Sequence, residues 1–416
     1  LHKKAQKIWF GLLSGNVIEY YDYVLYGVMA PVLSRLFFPS DSRLTSLAAT
    51  FAIFASGTLV RPLGGLILGY CGDYFSRRTV LMICSFLTGI TTFAIGCLPA
   101  SDSFSQAALL LLVLRCLQGL GMSSEFCSVL VIAGELAPPD KRGFLTSLAH
   151  SSGMAGTLLA SLMTAMIFLL PDSALYSWGW RIPFWLGGII CLNAYILRSR
   201  LPTLSNARSI PRERKLTSYG STFLQMFFMV AINTLVYHLY FIFQATRMIE
   251  HLDLPARQVM FVNTLTLLVL VICCALGGWF SDRSGHRKVY LISLIFTAVT
   301  AIPLSMLTSA SNLWICAFGM FLCAIVAGFM LGSSSVLYTE LWPASLRMTG
   351  TTVPYNLAIV CFGASTPLVA LYLIEATGLA WSTGLYVTGL AAAALLLLWR
   401  ISDRTGTQLD GAVIME

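Results

Sequence analysis

Charge is scarce in this sequence. Only 11% of its 416 residues are Asp, Glu, Lys or Arg, less than half the share found in ordinary soluble domains, so a water-facing surface cannot be built around all of it. Histidine is scarcer still. His2, His150, His238, His251 and His286 are scattered along the chain, and none has the spacing of a metal site. The eleven cysteines show neither zinc-type nor redox spacing. Most (Cys84, Cys116, Cys127, Cys273, Cys274, Cys316, Cys323 and Cys361) fall inside apolar runs, where they read as core packing. No nucleophile and base can be paired from these residues, which argues against a membrane enzyme, and no metal or cofactor is expected. The net charge of +8 is spread over separate short loops. It makes no coherent patch for nucleic acid.

Apolar length is what the sequence has in abundance. Hydrophobic residues make up 57% of it and mean hydropathy is +0.79, the signature of an integral membrane protein. About 20 apolar residues cross a hydrocarbon core of about 30 Å. Twelve candidates are present, at roughly 9–36, 44–72, 79–99, 106–133, 143–170, 180–198, 221–246, 257–281, 288–308, 311–339, 346–373 and 381–400. Runs of this length suit helices, which satisfy their own backbone hydrogen bonds in lipid, and not the short alternating strands of a barrel. The expected fold class is an all-α membrane protein.

The basic residues set an expected topology. Lys3, Lys4, Lys7, Arg77, Arg78, Lys141, Arg142, Arg198, Arg200, Arg208, Arg212, Arg214, Lys215, Arg283, Arg287, Lys288, Arg347, Arg400 and Arg404 fall on one side of the predicted spans; only Arg35, Arg43, Arg181, Arg247 and Arg257 fall near the other. By the positive-inside rule both termini are expected in the cytoplasm. No cleavable-signal pattern opens the sequence, and the first span is expected to act as the insertion signal. The longest polar interruption, 200–220, holds Pro202, Ser205, Asn206 and Pro211 among basic residues. It predicts a cytoplasmic linker between bundles at 1–199 and 221–416.

Those halves repeat each other. Gly69, Asp73 and Arg78 in Gly69-Tyr70-Cys71-Gly72-Asp73-Tyr74-Phe75-Ser76-Arg77-Arg78 return as Gly278, Asp282 and Arg287 in Gly278-Trp279-Phe280-Ser281-Asp282-Arg283-Ser284-Gly285-His286-Arg287, 209 positions on. Glu135, Pro138 and Arg142 return as Glu340, Pro343 and Arg347, 205 positions on. Two cassettes repeating at nearly one period in so apolar a chain predict two homologous membrane bundles, the plan of carriers that work by alternating access.

The repeated Gly-x3-Asp-x4-Arg loop resembles the signature loop of the major facilitator superfamily. Further stretches narrow the resemblance: Gly15-Asn16-Val17-Ile18-Glu19-Tyr20-Tyr21-Asp22, Arg61-Pro62-Leu63-Gly64-Gly65, Arg115-Cys116-Leu117-Gln118-Gly119, Gly179-Trp180-Arg181-Ile182-Pro183-Phe184 and Pro354-Tyr355-Asn356. They resemble the metabolite:proton symporter family, whose members carry proline and betaine, citrate, α-ketoglutarate or shikimate. The resemblance implies a twelve-helix fold in a bacterial inner membrane, two six-helix bundles related by pseudo-twofold symmetry, with spans one, four, seven and ten lining a central cavity. The chain is expected to act as a monomer.

An ionisable side chain inside a span is costly and therefore a functional candidate. At about 1.5 Å per residue, Glu19 lies about 16 Å into span one and Arg115 about 13 Å into span four, both near the midplane. Glu19, Asp22 and Tyr26 share a helical face; Arg115, Gln118, Met122 and Glu125 form another stripe. Glu19 or Asp22 is the expected proton carrier, with Arg115 pairing the carboxylate or an anionic substrate; a fixed structural ion pair is the alternative. Arg61 and Glu125 count out near the cytoplasmic edge and are expected to form a structural or gating pair. Substrate contacts are expected from Tyr26, Arg115 and Gln118, and in the second half from Asn233, Tyr237, His238, Tyr240, Tyr338 and Asn356. His238 is also a possible second proton site. The repeated loops predict a cytoplasmic latch built from Gly69, Asp73, Arg77, Arg78, Asp282, Arg283 and Arg287, joined by Glu135 with Arg142 and by Glu340 with Arg347.

Function follows as import of a small carboxylate or zwitterion together with protons. One midplane arginine beside two carboxylates suits a monocarboxylate or an amino-acid-like zwitterion better than a trianion, with a citrate-like polycarboxylate or a citrate-based iron chelator as an alternative. Export of an amphipathic compound could use the same fold, but the first span and the Arg-Pro-Leu-Gly-Gly stretch argue against it. A non-transporting sensor would be expected to carry a signalling domain or long tail, and this sequence shows neither.

Overall fold

A computed structural model describes residues 3–38, 43–99, 106–199, 216–250, 252, 254–363 and 365–410. Most of the expected 200–220 linker lies outside them, as do His2 and His251. Within them the chain is all-α, with twelve helical runs in the order α1 (Lys3–Phe37), α2 (Arg43–Tyr74), α3 (Arg77–Cys97), α4 (Ala107–Leu136), α5 (Arg142–Ile167), α6 (Asp172–Arg198), α7 (Gly220–Ile249), α8 (Ala256–Ser284), α9 (His286–Thr308), α10 (Leu313–Glu340), α11 (Arg347–Thr377) and α12 (Ser382–Leu398). Among the described residues nine helices are long and apolar enough to cross a membrane, and α12 is a shorter apolar one. Two that fall short, α1 and α5, carry much of the polar chemistry, including Glu19 and Asp22 in α1 and Arg142 and His150 in α5.

Leucine, valine, phenylalanine and isoleucine fill the outward faces, as at Leu109, Phe296, Val299 and Phe318. In lipid such exposure carries no penalty, since the surroundings are as apolar as the side chain. Local breaks are built in. Asn312 caps α10 by accepting from the backbone N–H groups of Trp314 and Ile315, which supplies partners for donors that a helix start leaves open. Wider π-type turns interrupt α6 at Leu175–Gly179, α7 at His238–Phe243 and α11 at Ile359–Gly363, a feature often found at functional positions.

The described residues of Leu1–Ile132 and Ser152–Ile210 form one compact unit, and those of Ala133–Ser151 and Pro211–Ile414 form the other. The first has a core of Tyr21, Leu25, Met29, Leu33 and Phe37 from α1 against Trp180 and Phe184 from α6. The Ala133–Ser151 segment precedes the linker in sequence yet packs within the second unit.

Candidate functional site

In the first unit α1, α3 and α4 bring Asp22, Thr92, Gln118 and Arg115 into one buried network. Asp22 Oδ2 accepts from Thr92 Oγ1 at 2.6 Å and from the Gln118 side-chain amide. Gln118 Nε2 also donates to Thr92 Oγ1 at 2.8 Å, and its Oε1 accepts from Arg115 Nη1. The spacing of Arg115 and Gln118 places both on one helical face, and the crossing of α1 brings Asp22 to that face. The acid and the guanidinium are thus joined through an amide. Among the described residues they make no direct ion pair.

Two aromatic faces hold the guanidinium. Arg115 Cζ lies 4.2 Å from the Tyr26 ring centroid and 5.2 Å from that of Phe54, so the rings' quadrupoles offset part of the cost of burying a cation. Tyr26 is fully buried, stacks on Phe54 and donates to Thr50 O at 3.3 Å. A small cavity opens beside this group, lined by Arg115, Gly119 and Met122 of α4 and by Gly57 and Arg61 of α2, with Tyr23. Arg61 donates to Met122 O at 3.4 Å and lies over Tyr23.

Glu19 belongs to a neighbouring cluster. It is 2% exposed, and its electrostatic neighbours are Glu125, Arg61 and Arg198. Glu125 takes Arg198 as its ion-pair partner, with Ser85 Oγ donating to the same carboxylate oxygen at 3.2 Å. The expected partnership of Glu125 with Arg61 did not anticipate Arg198, which by sequence reads as a loop cation at the end of span six. The helix continues to Arg198 and turns it inward, fully buried.

The second unit holds an uncharged hydrogen-bonding cluster on α7 and α10. Asn233 Nδ2 of α7 donates to Ser334 Oγ at 2.8 Å and to the Tyr338 hydroxyl at 2.7 Å, both on α10. Tyr355 packs edge-on against Tyr338. Tyr237 and His238 are half-buried and touch edge to face, and His238 Nδ1 lies 2.9 Å from Thr234 O. Buried Asn356 donates to Thr352 O of its own helix. Tyr240 lies apart, its hydroxyl against Ala301 O and Ser305 Oγ of α9. Among the described residues no three His, Cys, Asp or Glu side chains converge as metal ligands would.

The second cassette builds an ionic knot, and its partners are exchanged relative to the expected ones. Arg142 pairs with Glu340 at 2.8 Å, and Arg347 pairs with Glu135. The reason is local. Arg347 Nε is taken by Thr339 O at 3.0 Å and Trp342 O at 3.3 Å at the end of α10, which turns Nη1 toward the other cassette's glutamate. Arg142 Nη2 also donates to Thr407 O at 2.8 Å. Asp282 accepts from the backbone N–H groups of Gly143 at 2.6 Å and Phe144 at 2.8 Å, so a carboxylate sits on the positive end of the α5 dipole. Only glycine permits this approach at 143. A Cβ there would stand 2.7 Å from both Asp282 Oδ1 and Gly278 O.

Of the remaining loop cations, two satisfy backbone carbonyls and one stacks on a ring. Arg78 donates to Ser199 O, Arg287 to Trp399 O, and Arg283 lies 3.5 Å over the Trp279 ring. Gly69, Asp73 and Arg77 are buried in the first unit. One member of the knot was invisible to sequence reasoning. His286 stands between Asp282 and Glu340; the only signal was its place inside the repeated loop.

Known proteins share this plan. Residues 10–203 match the family model described as sugar (and other) transporter, and residues 219–412 match that of the Major Facilitator Superfamily. A citrate-proton symporter of Klebsiella pneumoniae is 31% identical over 409 residues, covering 96% of this chain and 92% of the relative. A shikimate transporter of Escherichia coli (strain K12) is 30% identical over 421 residues, covering 96% of each. The solved structure of a proton:xylose symporter bound to 6-bromo-6-deoxy-D-glucose superposes with a TM-score of 0.81 at 18% identity, over 97% of each chain. On these matches and on its twelve helices, the chain belongs to the major facilitator superfamily of transporters.

Proposed function

We propose that the chain is a proton-coupled importer of a small organic acid or zwitterionic metabolite, with Asp22 as the proton carrier and Arg115 as the substrate's anion receptor. The observation that carries this reading is the Asp22–Gln118–Arg115 network. Arg115 lines the cavity, and its Nε has no hydrogen-bond partner among the described residues; Asp22 Oδ1 has none either. A substrate carboxylate arriving at the guanidinium competes with Gln118 for it. Asp22 then loses the cation that offsets its buried charge and is stabilised by taking a proton instead. By linkage each ligand raises the affinity for the other, which is the condition for symport. The relatives named for citrate and shikimate support an anionic substrate. Glu19, beside Glu125 and Arg198, is a second carboxylate through which protonation could be coupled to helix packing.

One observation favours a second reading of the substrate. Arg61 lines the same cavity as Arg115, and two guanidinium groups suit a dicarboxylate or citrate-like polycarboxylate. Asn233, Tyr237, His238, Tyr338 and Asn356 are proposed substrate-reading groups of the second unit. The Arg142–Glu340 and Arg347–Glu135 pairs, with Asp282 on the α5 terminus, form a latch proposed to hold the cytoplasmic gate. The distribution of Lys and Arg supports termini in the cytoplasm of a bacterial inner membrane.

The test is a thermal-shift screen of purified protein against monocarboxylates, dicarboxylates, citrate, amino acids and betaines, since a ligand of the folded state raises stability by mass action. A stabilising acid or zwitterion should lose its effect in Arg115→Gln and should accumulate in proteoliposomes under an inward proton gradient. Loss of the shift in Arg61→Gln as well would select the dicarboxylate reading. Accumulation that ignores the proton gradient would end the symport proposal.

A further inference from the structure

His286 opens α9 after Gly285, whose φ of 100° favours glycine, and its ring is fully buried. Both ring nitrogens face carboxylates. Nδ1 lies 3.1 Å from each oxygen of Glu340, and Nε2 lies 3.1 Å from Asp282 Oδ1. A neutral imidazole has one N–H and one lone pair, whereas the imidazolium has two N–H donors. With a neutral ring, one nitrogen would set its lone pair against a carboxylate oxygen. With Asp282 and Glu340 both ionised, the observed geometry is satisfied at both ends by the protonated ring.

The surrounding charges agree. Asp282 reaches the ring from α8 and Glu340 from α10, with Arg142 of α5 bonded to Glu340. From the segment after α12, Thr405 Oγ1 accepts from His286 N at 2.8 Å, and the Asp403 carboxylate lies beside Gly285. On its own helix, Arg287 is turned away to Trp399 O and Lys288 is exposed. Two carboxylates thus meet the ring with one guanidinium among them, and an imidazolium completes the balance. The repeat makes the same point. Counting back 209 positions from His286 reaches Arg77, so the first copy of the loop places a permanent cation where the second places one that can lose its proton.

The geometry points to His286 as a proton-binding site within the latch, facing the cytoplasm, whose occupancy sets how firmly the gate is held. This rests on the latch and topology proposed above. With the proton bound, the ring ties Asp282 to Glu340 and, through them, the α5 terminus and Arg142. With the proton lost, one of those contacts becomes repulsive. The latch is therefore full strength while the ring is protonated and weakens as pH rises through the ring's pKa, which burial lowers but the hydrogen bonds to Asp282 and Glu340 raise to about 9.

The experiment uses full-length protein in nanodiscs, cleared of reactive native cysteines, with spin labels at the exposed positions Asp140→Cys before α5 and Ser284→Cys before α9. Pulsed electron-spin distances are recorded across a pH series. In the parent the ratio of long to short distances should rise about tenfold as pH increases. His286→Arg, which installs the first copy's residue, should stay short at every pH, and His286→Gln should be long at every pH. Glu340→Gln and Asp282→Asn test the latch itself and should lengthen the distance at low pH. If neither does, the latch reading fails. If they do and the parent's distances ignore pH, or His286→Arg follows the parent's pH curve, the histidine proposal is overturned. The parent's curve needs no substitution in the knot, so a poorly folding variant leaves that test intact.

Discussion

Gln118 donates its side-chain amide to Asp22 and with the other end of the same amide accepts from Arg115. A neutral group therefore relays the arginine's field to the acid. Replacing Gln118 with Leu should break the relay while keeping bulk in the helix contact. Gln118 no longer competes with the substrate carboxylate for the guanidinium, and each buried polar partner left unsatisfied in the ligand-free protein costs about 1–3 kcal/mol, so substrate affinity should rise by roughly tenfold. Binding measured at two pH values checks this: the variant should lose most of the pH dependence of affinity.

Arg198 and Glu125 are both buried, and each would leave the other as an unpaired charge. Arg198→Gln should lower stability by about 3–5 kcal/mol, the usual cost of breaking a buried pair. The double variant Arg198→Gln with Glu125→Gln should regain part of that loss. Thermal unfolding in detergent would show the order, and a double variant worse than the single would remove the pair as the cause.

Much of the architecture was legible because lipid imposes a simple rule on length and polarity. The twelve runs and the repeated cassettes follow from spacing along the chain, and the i, i+3 link of Arg115 with Gln118 from spacing along one helix. What spacing cannot supply is which neighbour crosses that face. Arg198 reads as a loop cation because its burial depends on where α6 meets α1 and α3. The exchanged glutamate–arginine partners depend on backbone carbonyls at the end of α10 that steer Arg347, and Tyr240 turns to α9 within a π-type turn that no periodicity announces. His286 looked isolated because its partners, Asp282 and Glu340, come from two other helices.

Gly143→Ala forces a Cβ into the space of Asp282 Oδ1 and Gly278 O. Relieving that overlap should cost about 1–3 kcal/mol and push the α5 terminus off its carboxylate cap. The variant should show a lower Tm and greater accessibility of latch residues to an impermeant probe from the cytoplasmic side. Unchanged accessibility would separate the glycine from the gate.

Asp282→Asn keeps the shape of that cap and removes its charge. Loss of charge-assisted contacts to the α5 terminus and His286 should shift a two-state carrier toward the inside-open form by about tenfold. Asp73→Asn is expected to act in the same direction through the first copy of the loop. Accessibility labelling from each side measures both shifts.

The central claim is that Asp22 couples the proton to the substrate. Asp22→Asn in proteoliposomes should exchange labelled for unlabelled substrate at a rate within about tenfold of the parent, because a neutral side chain mimics the proton-loaded carrier. The same variant should fail to concentrate substrate when an inward proton gradient is imposed. Glu19→Gln, assayed beside it, shows whether the second carboxylate shares the task. Uphill accumulation by Asp22→Asn at the parent's level would contradict the account and move the coupling site away from the Asp22–Gln118–Arg115 network.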